Sequence, residues 1–213
     1  MEFKLLESLE PALRTEVLAT ARRRRFDKGM VLFHEGDPGD SLHLLVKGRV
    51  AVRVGTPAGE TATLTVHGVG AAFGEQALID PVARRTATVV ALELVETMVL
   101  QRTDFEELRD RYPSVDRLLI EQLAGQVRRL SDRLTEALFV GADKRVVRRM
   151  LELDELYASE LVEITQEDVA AMAGTTRPTV NRVMQALAKH GAIQLGRGKF
   201  TVVDRRLLER NAR

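Results

Sequence analysis

The spacing of hydrophobic residues changes twice along this chain, and these changes divide it into three regions. From residue 5 to residue 21 apolar positions recur at helical intervals, which predicts a short helix. Short runs rich in β-branched residues follow, separated by turn sequences such as Asp37-Pro38-Gly39. The predicted strands cover residues 30–33, 42–46, 50–54, 61–66, 86–92 and 94–100. Many short strands at this spacing are typical of a sandwich or jelly roll.

A long amphipathic helix is predicted after Tyr112-Pro113, where the period becomes helical. Its apolar positions alternate at intervals of three and four residues between polar flanks. This stripe consists of Ile120, Leu123, Val127, Leu130, Leu134 and Ala137. A narrow stripe is typical of a two-stranded coiled coil, so we expect a homodimer, with packing on its own domain as the alternative. Residues 139–143, which include Gly141, are the predicted hinge.

The C-terminal region has the local signals of a winged helix-turn-helix in the required order. Thr165 and Asp168 form a capping-box-like start for a first helix, and Gly174 supplies the tight turn after it. The second helix begins near Thr176 and carries Pro178 in its first turn, where a missing N–H costs nothing. Its predicted buried face consists of Val180, Val183, Met184 and Leu187. A β-hairpin with a basic tip follows and predicts the wing.

The exposed face of the second helix carries side chains that suit base edges and phosphates in a major groove. Arg177 and Arg182 are the predicted base readers, whereas Arg197 and Lys199 on the wing are expected to contact phosphate. The predicted DNA-binding set is Thr165, Arg177, Thr179, Asn181, Arg182, Arg197 and Lys199. We expect a dimer to bind a palindromic operator in double-stranded DNA. A helix-turn-helix fold without a role in DNA binding is the alternative, and the basic wing favours DNA.

A second informative stretch combines Phe73-Gly74-Glu75-Gln76-Ala77-Leu78 with Arg84-Arg85-Thr86-Ala87-Thr88. An arginine can hold the oxygens of a cyclic phosphate in a fork, and Arg85 suits that role. The stretch resembles the phosphate-binding cassette of cyclic-nucleotide-binding domains. With the helix-turn-helix behind it, nearly the whole chain resembles the Crp/Fnr family of transcription regulators. The resemblance implies a sensing β-barrel, allosteric control of DNA binding and RNA polymerase as a partner.

By this resemblance, the effector would be bound by Gly74, Glu75, Gln76, Arg85, Thr86 and Ser131. Gly74 would let the backbone come close, Thr86 would add a hydroxyl, and Glu75 would accept from a ribose 2′-hydroxyl while opposing Arg85. Cyclic AMP is the first candidate effector. The alternatives are another ligand, no effector, or an ion pair between Glu75 and Arg85 that serves only the barrel.

Three positions depart from the pattern of the family. Gln76 follows the glutamate in place of the common leucine, and Leu130-Ser131 stands where the cyclic-AMP-responsive members have a Thr-Ser pair. Ser131 can still bond a base, but Leu130 cannot. The second helix of the helix-turn-helix is the recognition helix of the family, and Pro178 replaces a glutamate there. This replacement removes an acceptor for a cytosine amino group. Neither the base that is sensed nor the operator that is read should therefore be copied from the best-known member of the family.

Composition is consistent with this organisation. The chain has 213 residues, of which 45% are hydrophobic and 30% charged, and its net charge is +1. The patterns predict an α+β protein. It comprises a double-stranded β-helix or jelly-roll domain of the cyclic-nucleotide-binding type (residues 1–112), a dimerisation helix (113–140) and a winged helix-turn-helix (141–213). The absence of cysteine excludes disulfides and cysteine-ligated clusters and fits the cytoplasm. Neither a secretion signal nor a membrane span is indicated.

Two other functional classes are alternatives to a transcription regulator. A cupin-like metal enzyme would need clustered ligands, but His34, His43 and His67 are scattered and lack a nearby carboxylate pattern. No nucleophile and base occur at a spacing that would indicate a catalytic pair. We therefore expect neither an enzyme nor a metal site. A signalling module that binds nucleotide without DNA is the second rival, and the helix-turn-helix argues against it.

Overall fold

The computed structural model describes residues 3–56, 59–79, 82, 84–158 and 160–212, without the side chains of Lys4 and Ala77. The chain forms two compact units. The first comprises Met1–Gly59 and Val66–Arg128, and the second comprises Glu60–Thr65 and Arg129–Arg213.

The β-strands of the N-terminal region form two antiparallel sheets, as expected for a jelly roll. In the described residues these strands are β1 (Arg22–Phe26), β2 (Val31–Phe33), β3 (Ser41–Lys47), β4 (Val50–Gly55), β5 (Thr61–His67), β6 (Ala72–Phe73), β7 (Thr88–Ala91) and β8 (Val95–Gln101). The strand order is β1-β8-β3-β6 in one four-stranded sheet and β2-β7-β4-β5 in the other. The six predicted strands are confirmed, with ends that differ by one or two residues.

Strand β3 lies between two hydrophobic clusters, which explains why it is buried on both faces. Leu42 and Leu44 point into a cluster that is closed by the helices of this unit. Leu45 points the other way, toward Phe26 and Val50 in the interior of the jelly roll. Alternation along one strand therefore builds both cores at once.

The N-terminal helix is split, which the sequence did not predict. A 3₁₀ turn occupies Lys4–Leu6, and helix α1 begins only at Pro11 and runs over Pro11–Thr20. A proline is accepted in the first turn of a helix and not in its interior, so the predicted continuous helix cannot form. The remaining helices that begin in this unit are α2 (Gln76–Ile79), α3 (Arg102–Arg111) and α4 (Ser114–Phe139).

The second unit contains the predicted winged helix-turn-helix. Its elements are α5 (Ala142–Leu156), β9 (Val162–Glu163), α6 (Gln166–Ala173), α7 (Arg177–Lys189), β10 (Ile193–Gly196), β11 (Lys199–Val202) and α8 (Arg205–Ala212). The three short strands form an antiparallel sheet in the order β10-β11-β9. Val180, Val183, Met184 and Leu187 are all buried, so the predicted inner face of α7 is confirmed. Across the described residues, no helix is both long and apolar enough to cross a membrane.

Candidate functional site

An open cavity of about 570 Å³ lies in the first unit. Five of the six predicted effector-binding residues line it: Gly74, Glu75, Gln76, Arg85 and Thr86. The apolar and aromatic part of the lining comes from Phe33, Val52, His67, Phe73 and Val89, and a carboxamide is added by Gln126. An apolar wall with a few convergent polar groups is typical of a small-molecule site.

Arg85 is the charged centre of this cavity, and it is almost completely buried, with 6% of its surface exposed. Its Nη1 donates to the carbonyl oxygens of Ser41 at 2.7 Å and Gly74 at 3.3 Å. Its Nη2 donates to Ser41 Oγ at 2.9 Å and lies 3.4 Å from Asp40 Oδ1. The guanidinium also lies over the ring of Phe33, 4.1 Å from its centroid. Burial lowers the pKa of Arg85, but an arginine remains charged in such a site.

One donor of Arg85 has no acceptor among the described residues. Its Nε is buried and finds no hydrogen-bond partner in the described part of the chain. A buried, unsatisfied donor on a charged group is costly, so an acceptor from outside the protein, either water or a ligand, would stabilise it. An anionic oxygen in the cavity would provide it.

Gly74 makes room for this arrangement. Its φ is +84°, a left-handed conformation that glycine adopts without strain. A Cβ at this position would collide with Nη1 of Arg85 and would approach the carbonyl oxygen of Ser41 to 3.1 Å. The bare backbone of Gly74 and the buried guanidinium of Arg85 thus form a cradle at the cavity.

Glu75 is buried, at 8% exposure, and its carboxylate makes no ion pair with Arg85. The barrel ion pair that would have occupied both side chains is therefore not formed. Gln76 is half-buried, and Thr86 is exposed at the cavity. These side chains are placed so that they could meet a polar ligand.

Helix α4 carries the remaining predicted effector residue and the predicted dimer stripe. Ser131 is exposed, lies in the portion of α4 that belongs to the second unit, and is not part of the cavity lining. Large apolar side chains of the stripe are exposed on this chain: Ile120 65%, Val127 62%, Leu130 61% and Leu134 61%. Leu123 is half-buried and Ala137 exposed. Leu138 and Phe139 extend the exposed apolar surface at the end of the helix.

The helix-turn-helix is held by local caps. Thr165 accepts from the backbone N–H of Asp168, whose carboxylate in turn accepts from the backbone of Thr165, and this completes the predicted capping box. Gly174 ends α6 in the left-handed conformation, with φ of 59°. Thr176 caps α7 through the backbone N–H of Thr179. The two caps and the left-handed glycine together set the turn between the helices.

The outer face of α7 is open. Arg177, Asn181 and Arg182 are exposed and Thr179 is half-buried, and Arg197 and Lys199 are exposed on the wing. Arg182 Nη2 donates to Asp143 Oδ1 at 2.5 Å, and this hydrogen bond raises the pKa of Arg182. Asn181 Oδ1 accepts from Gln166 Nε2 at 3.4 Å. The structure thus places the predicted α7 residues on one solvent-facing surface, while the side chain of Thr165 is used as a cap.

Arg145 joins the end of α4 to the turn between α6 and α7, a contact that the sequence did not reveal. Its guanidinium donates to the carbonyl oxygens of Val140 at 2.6 Å, Ala173 at 2.8 Å and Gly174 at 2.9 Å. These are carbonyls that helix ends leave without intrahelical partners. Arg145 is therefore a structural anchor for the helix-turn-helix.

Comparison with known proteins agrees with both the β-sheet domain that holds the cavity and the helix-turn-helix. The cyclic nucleotide-binding domain family matches residues 23–112, and the Crp-like helix-turn-helix domain family matches residues 144–211. The cyclic AMP receptor protein of Thermus thermophilus is 35% identical over 205 residues, which cover 96% of this chain and 94% of the relative. The chain belongs to the Crp/Fnr family of transcription regulators.

Two further members of the Crp/Fnr family extend the similarity. The CRP-like cAMP-activated global transcriptional regulator of Mycobacterium tuberculosis is 26% identical over 98% of this chain and 96% of its own length. The crystal structure of a CRP/FNR-family transcriptional regulator from Thermus thermophilus, 25% identical, matches with a TM-score of 0.75 over 90% of this chain and 98% of that one. The α+β fold expected from the sequence is thus confirmed.

For this Crp/Fnr regulator, the two family matches leave residues 113–143 unassigned, and these residues hold α4 and the predicted hinge. Helix α4 ends at Phe139, and Gly141 caps the start of α5, so the break in the helix falls where the sequence predicted a hinge. Sequence reasoning missed Gln126 and the Ser41–Arg85 contact. Both depend on pairings between distant parts of the chain, which no local pattern encodes.

Proposed function

We propose that this Crp/Fnr regulator is controlled by cyclic AMP bound in the cavity of the first unit. The observation that carries the proposal is the buried Arg85, whose Nε has no acceptor among the described residues and which lies against the bare backbone of Gly74. A cyclic phosphate supplies the missing anionic oxygen. Two of the relatives are named for cyclic AMP, which supports this choice of nucleotide.

The remaining polar groups of the cavity suit the rest of a nucleotide. Both Glu75 and Thr86 line the cavity, and in this proposal Glu75 would accept from a ribose hydroxyl and Thr86 would donate to a phosphate oxygen. Gln76 and Gln126 offer carboxamides, which can both donate to and accept from a base edge. Ser131 is a second candidate for contact with the base.

Calorimetric titration tests the effector. We expect cyclic AMP to bind the purified full-length protein with measurable heat, and cyclic GMP to bind more weakly. Arg85→Ala removes the phosphate partner and should abolish the heat. Arg85→Lys keeps the charge but loses the fork and should bind with intermediate affinity. Circular dichroism confirms that each variant is folded. Absence of heat with both nucleotides on the wild-type protein would show that the effector is another ligand or that there is none.

We further propose that the stripe on α4 joins two copies into a homodimer that binds a palindromic operator. The exposure of its large apolar residues supports this, because a solvated stripe of this kind calls for a partner. The dimer would present its recognition helices about 34–36 Å apart, one turn of DNA. Arg177 and Arg182 would read bases with Thr179 and Asn181 beside them, and Arg197 and Lys199 would contact phosphate.

In this proposal each of three regions of the chain has its own role. Residues 1–112 would sense the effector, 113–140 would dimerise, and 141–213 would bind DNA. Cyclic AMP would shift the population toward the spacing of recognition helices that the operator requires. RNA polymerase would be the partner that converts operator binding into a change of transcription. Electrophoretic mobility shifts with and without cyclic AMP measure the first step of this sequence directly.

A further inference from the structure

A hydrogen-bonded ion pair links Arg182, on the outer face of α7, to Asp143, in the first turn of α5. Nη2 of Arg182 lies 2.5 Å from Oδ1 of Asp143. Asp143 follows Gly141, the N-cap of α5, so its carboxylate lies at the positive end of a helix. The acceptor is thereby held on a fixed element of the same unit.

The pair contributes little to the stability of the fold. The side chains of Arg182 and Asp143 are 64% and 54% exposed, and ion pairs this exposed to water are weak and screened by salt. In this structure the contact nevertheless orients the guanidinium of Arg182 toward Asp143. Nη1 and Nε make no hydrogen bond within the described residues, so an edge of the guanidinium remains available for a base.

We propose that Asp143 is a positioning residue that sets the sequence specificity of DNA binding through Arg182. This inference rests on the proposed role of Arg182 as a base reader. A bidentate contact to guanine demands one orientation of the guanidinium. An arginine side chain that is free in solution loses considerable conformational entropy when it is held in that orientation. Asp143 removes part of that loss in advance by holding the side chain before DNA arrives.

The charge of Asp143 acts in the same direction. A carboxylate beside the reading arginine repels the phosphate backbone of any DNA, whatever its sequence, and so weakens non-specific binding. The orientation of Arg182 raises the affinity for the specific sequence and partly offsets the repulsion there. The affinity for non-specific DNA is lowered by the repulsion alone. Both effects raise the ratio of specific to non-specific affinity.

Two substitutions separate orientation from charge. Asp143→Asn and Asp143→Ala remove the same negative charge, but the asparagine side-chain oxygen can still accept from Nη2. The probes are a duplex that the wild-type protein selects from a random library and a scrambled duplex of the same composition. Dissociation constants for both are measured by fluorescence anisotropy on the full-length protein, with and without cyclic AMP.

We expect both variants to bind the scrambled duplex more tightly than the wild type. Asp143→Ala should lower the specificity ratio about 5-fold or more, the lower end expected for a bidentate base contact, whereas Asp143→Asn should keep most of it. In an Arg182→Ala background, Asp143→Ala should leave the ratio unchanged, because the residue that it positions is gone. Thermal unfolding should be nearly the same for all single variants.

The results distinguish this inference from the proposed role of Arg182. If Arg182→Ala lowers the specificity ratio but Asp143→Ala does not, Arg182 reads bases without help and the positioning role is wrong. If Asp143→Ala strengthens binding to the selected duplex more than to the scrambled one, the carboxylate competes with DNA instead of preparing the arginine. If Arg182→Ala itself leaves the ratio unchanged, the readout assignment fails, and this inference fails with it.

Discussion

Gly74 and Arg85 are packed so closely that the Nη1 atom of the arginine occupies the space that a side chain on residue 74 would need. Gly74→Ala therefore carries two penalties, the collision and a left-handed φ. The φ penalty alone costs about 1–2 kcal/mol of unfolding free energy. We expect the collision to add to this loss and to weaken the proposed binding of cyclic AMP, because the guanidinium must move.

Gly29 provides a matched control for this prediction. Its φ is +85°, and a Cβ there would meet nothing within 4 Å. Gly29→Ala should show the φ penalty in urea unfolding and leave the calorimetric titration with cyclic AMP unchanged. Equal binding by the two variants would contradict the cradle formed by Gly74 and Arg85.

If the exposed stripe on α4 joins two copies as proposed, a single charge in it should dissociate the homodimer. Leu134 is 61% exposed on the isolated chain, so Leu134→Glu should not disturb the fold of one protomer. Burial of a leucine contributes about 1.5–3 kcal/mol, and a two-fold dimer contains two copies of it. Sedimentation velocity should detect monomers at concentrations where the wild type is a dimer.

Val69 is the control for that substitution, since it is apolar, 63% exposed and lies outside the stripe. Val69→Glu should remain dimeric. A Leu134→Glu protein that sediments like the wild type would show that the stripe is covered in some other way or by another partner.

His43 predicts a specific loss of stability in acid. Its ring is buried and packs against Phe33 and Phe73. Its Nδ1 atom lies 3.3 Å from Thr97 Oγ1. Burial, followed by the charges of Arg85 and Arg24, lowers its pKa from 6.5 to about 3. Between these two values the unfolded chain binds a proton that the folded chain refuses. The folded state therefore loses up to about 1.4 kcal/mol for each unit of falling pH in this window.

Chemical unfolding at several pH values measures this loss. The curve of unfolding free energy against pH should be less steep between pH 6.5 and 4 for His43→Gln than for the wild type. Carboxylates that titrate in the same range contribute equally to both curves, so the difference between the slopes belongs to His43. His34→Gln, which changes an exposed histidine, should keep the wild-type slope.

The elements that could be predicted from the sequence are those whose signals are local. The cap at Thr165, the turn at Gly174 and the proline of α7 specify the helix-turn-helix within a short segment, and the structure confirms each of them. Strand β1 was missed because four arginines at residues 22–25 hide it. On the edge of its sheet those side chains remain exposed, and only Phe26 is buried.

Helix α3 was missed for a related reason. Its ten residues bury only Phe105 and Leu108, too few to produce a visible helical period. The candidate cavity shows the same limit at the level of the site. Its glycine and arginine could be found from the cassette, but Ser41 lies 44 residues from Arg85 in the chain. A side-chain contact between segments so far apart in the chain has no signature in either segment alone.

Arg145 supports a prediction that separates charge from geometry. Its three N–H groups satisfy carbonyls at Val140, Ala173 and Gly174, so Arg145→Ala leaves three acceptors without their partner. Hydrogen bonds from a charged donor are worth about 1.5–3 kcal/mol, and we expect a loss of that order in urea unfolding, with weaker DNA binding. Arg145→Lys keeps the charge, but one ammonium cannot span all three oxygens, and the stability of this variant should be intermediate.

Arg206 provides the control, because it is exposed and makes no hydrogen bond in the described chain. Arg206→Ala should unfold like the wild type. If Arg145→Ala matched Arg206→Ala, water would replace the arginine at these carbonyls without cost, and the helix-turn-helix would depend on its own caps alone.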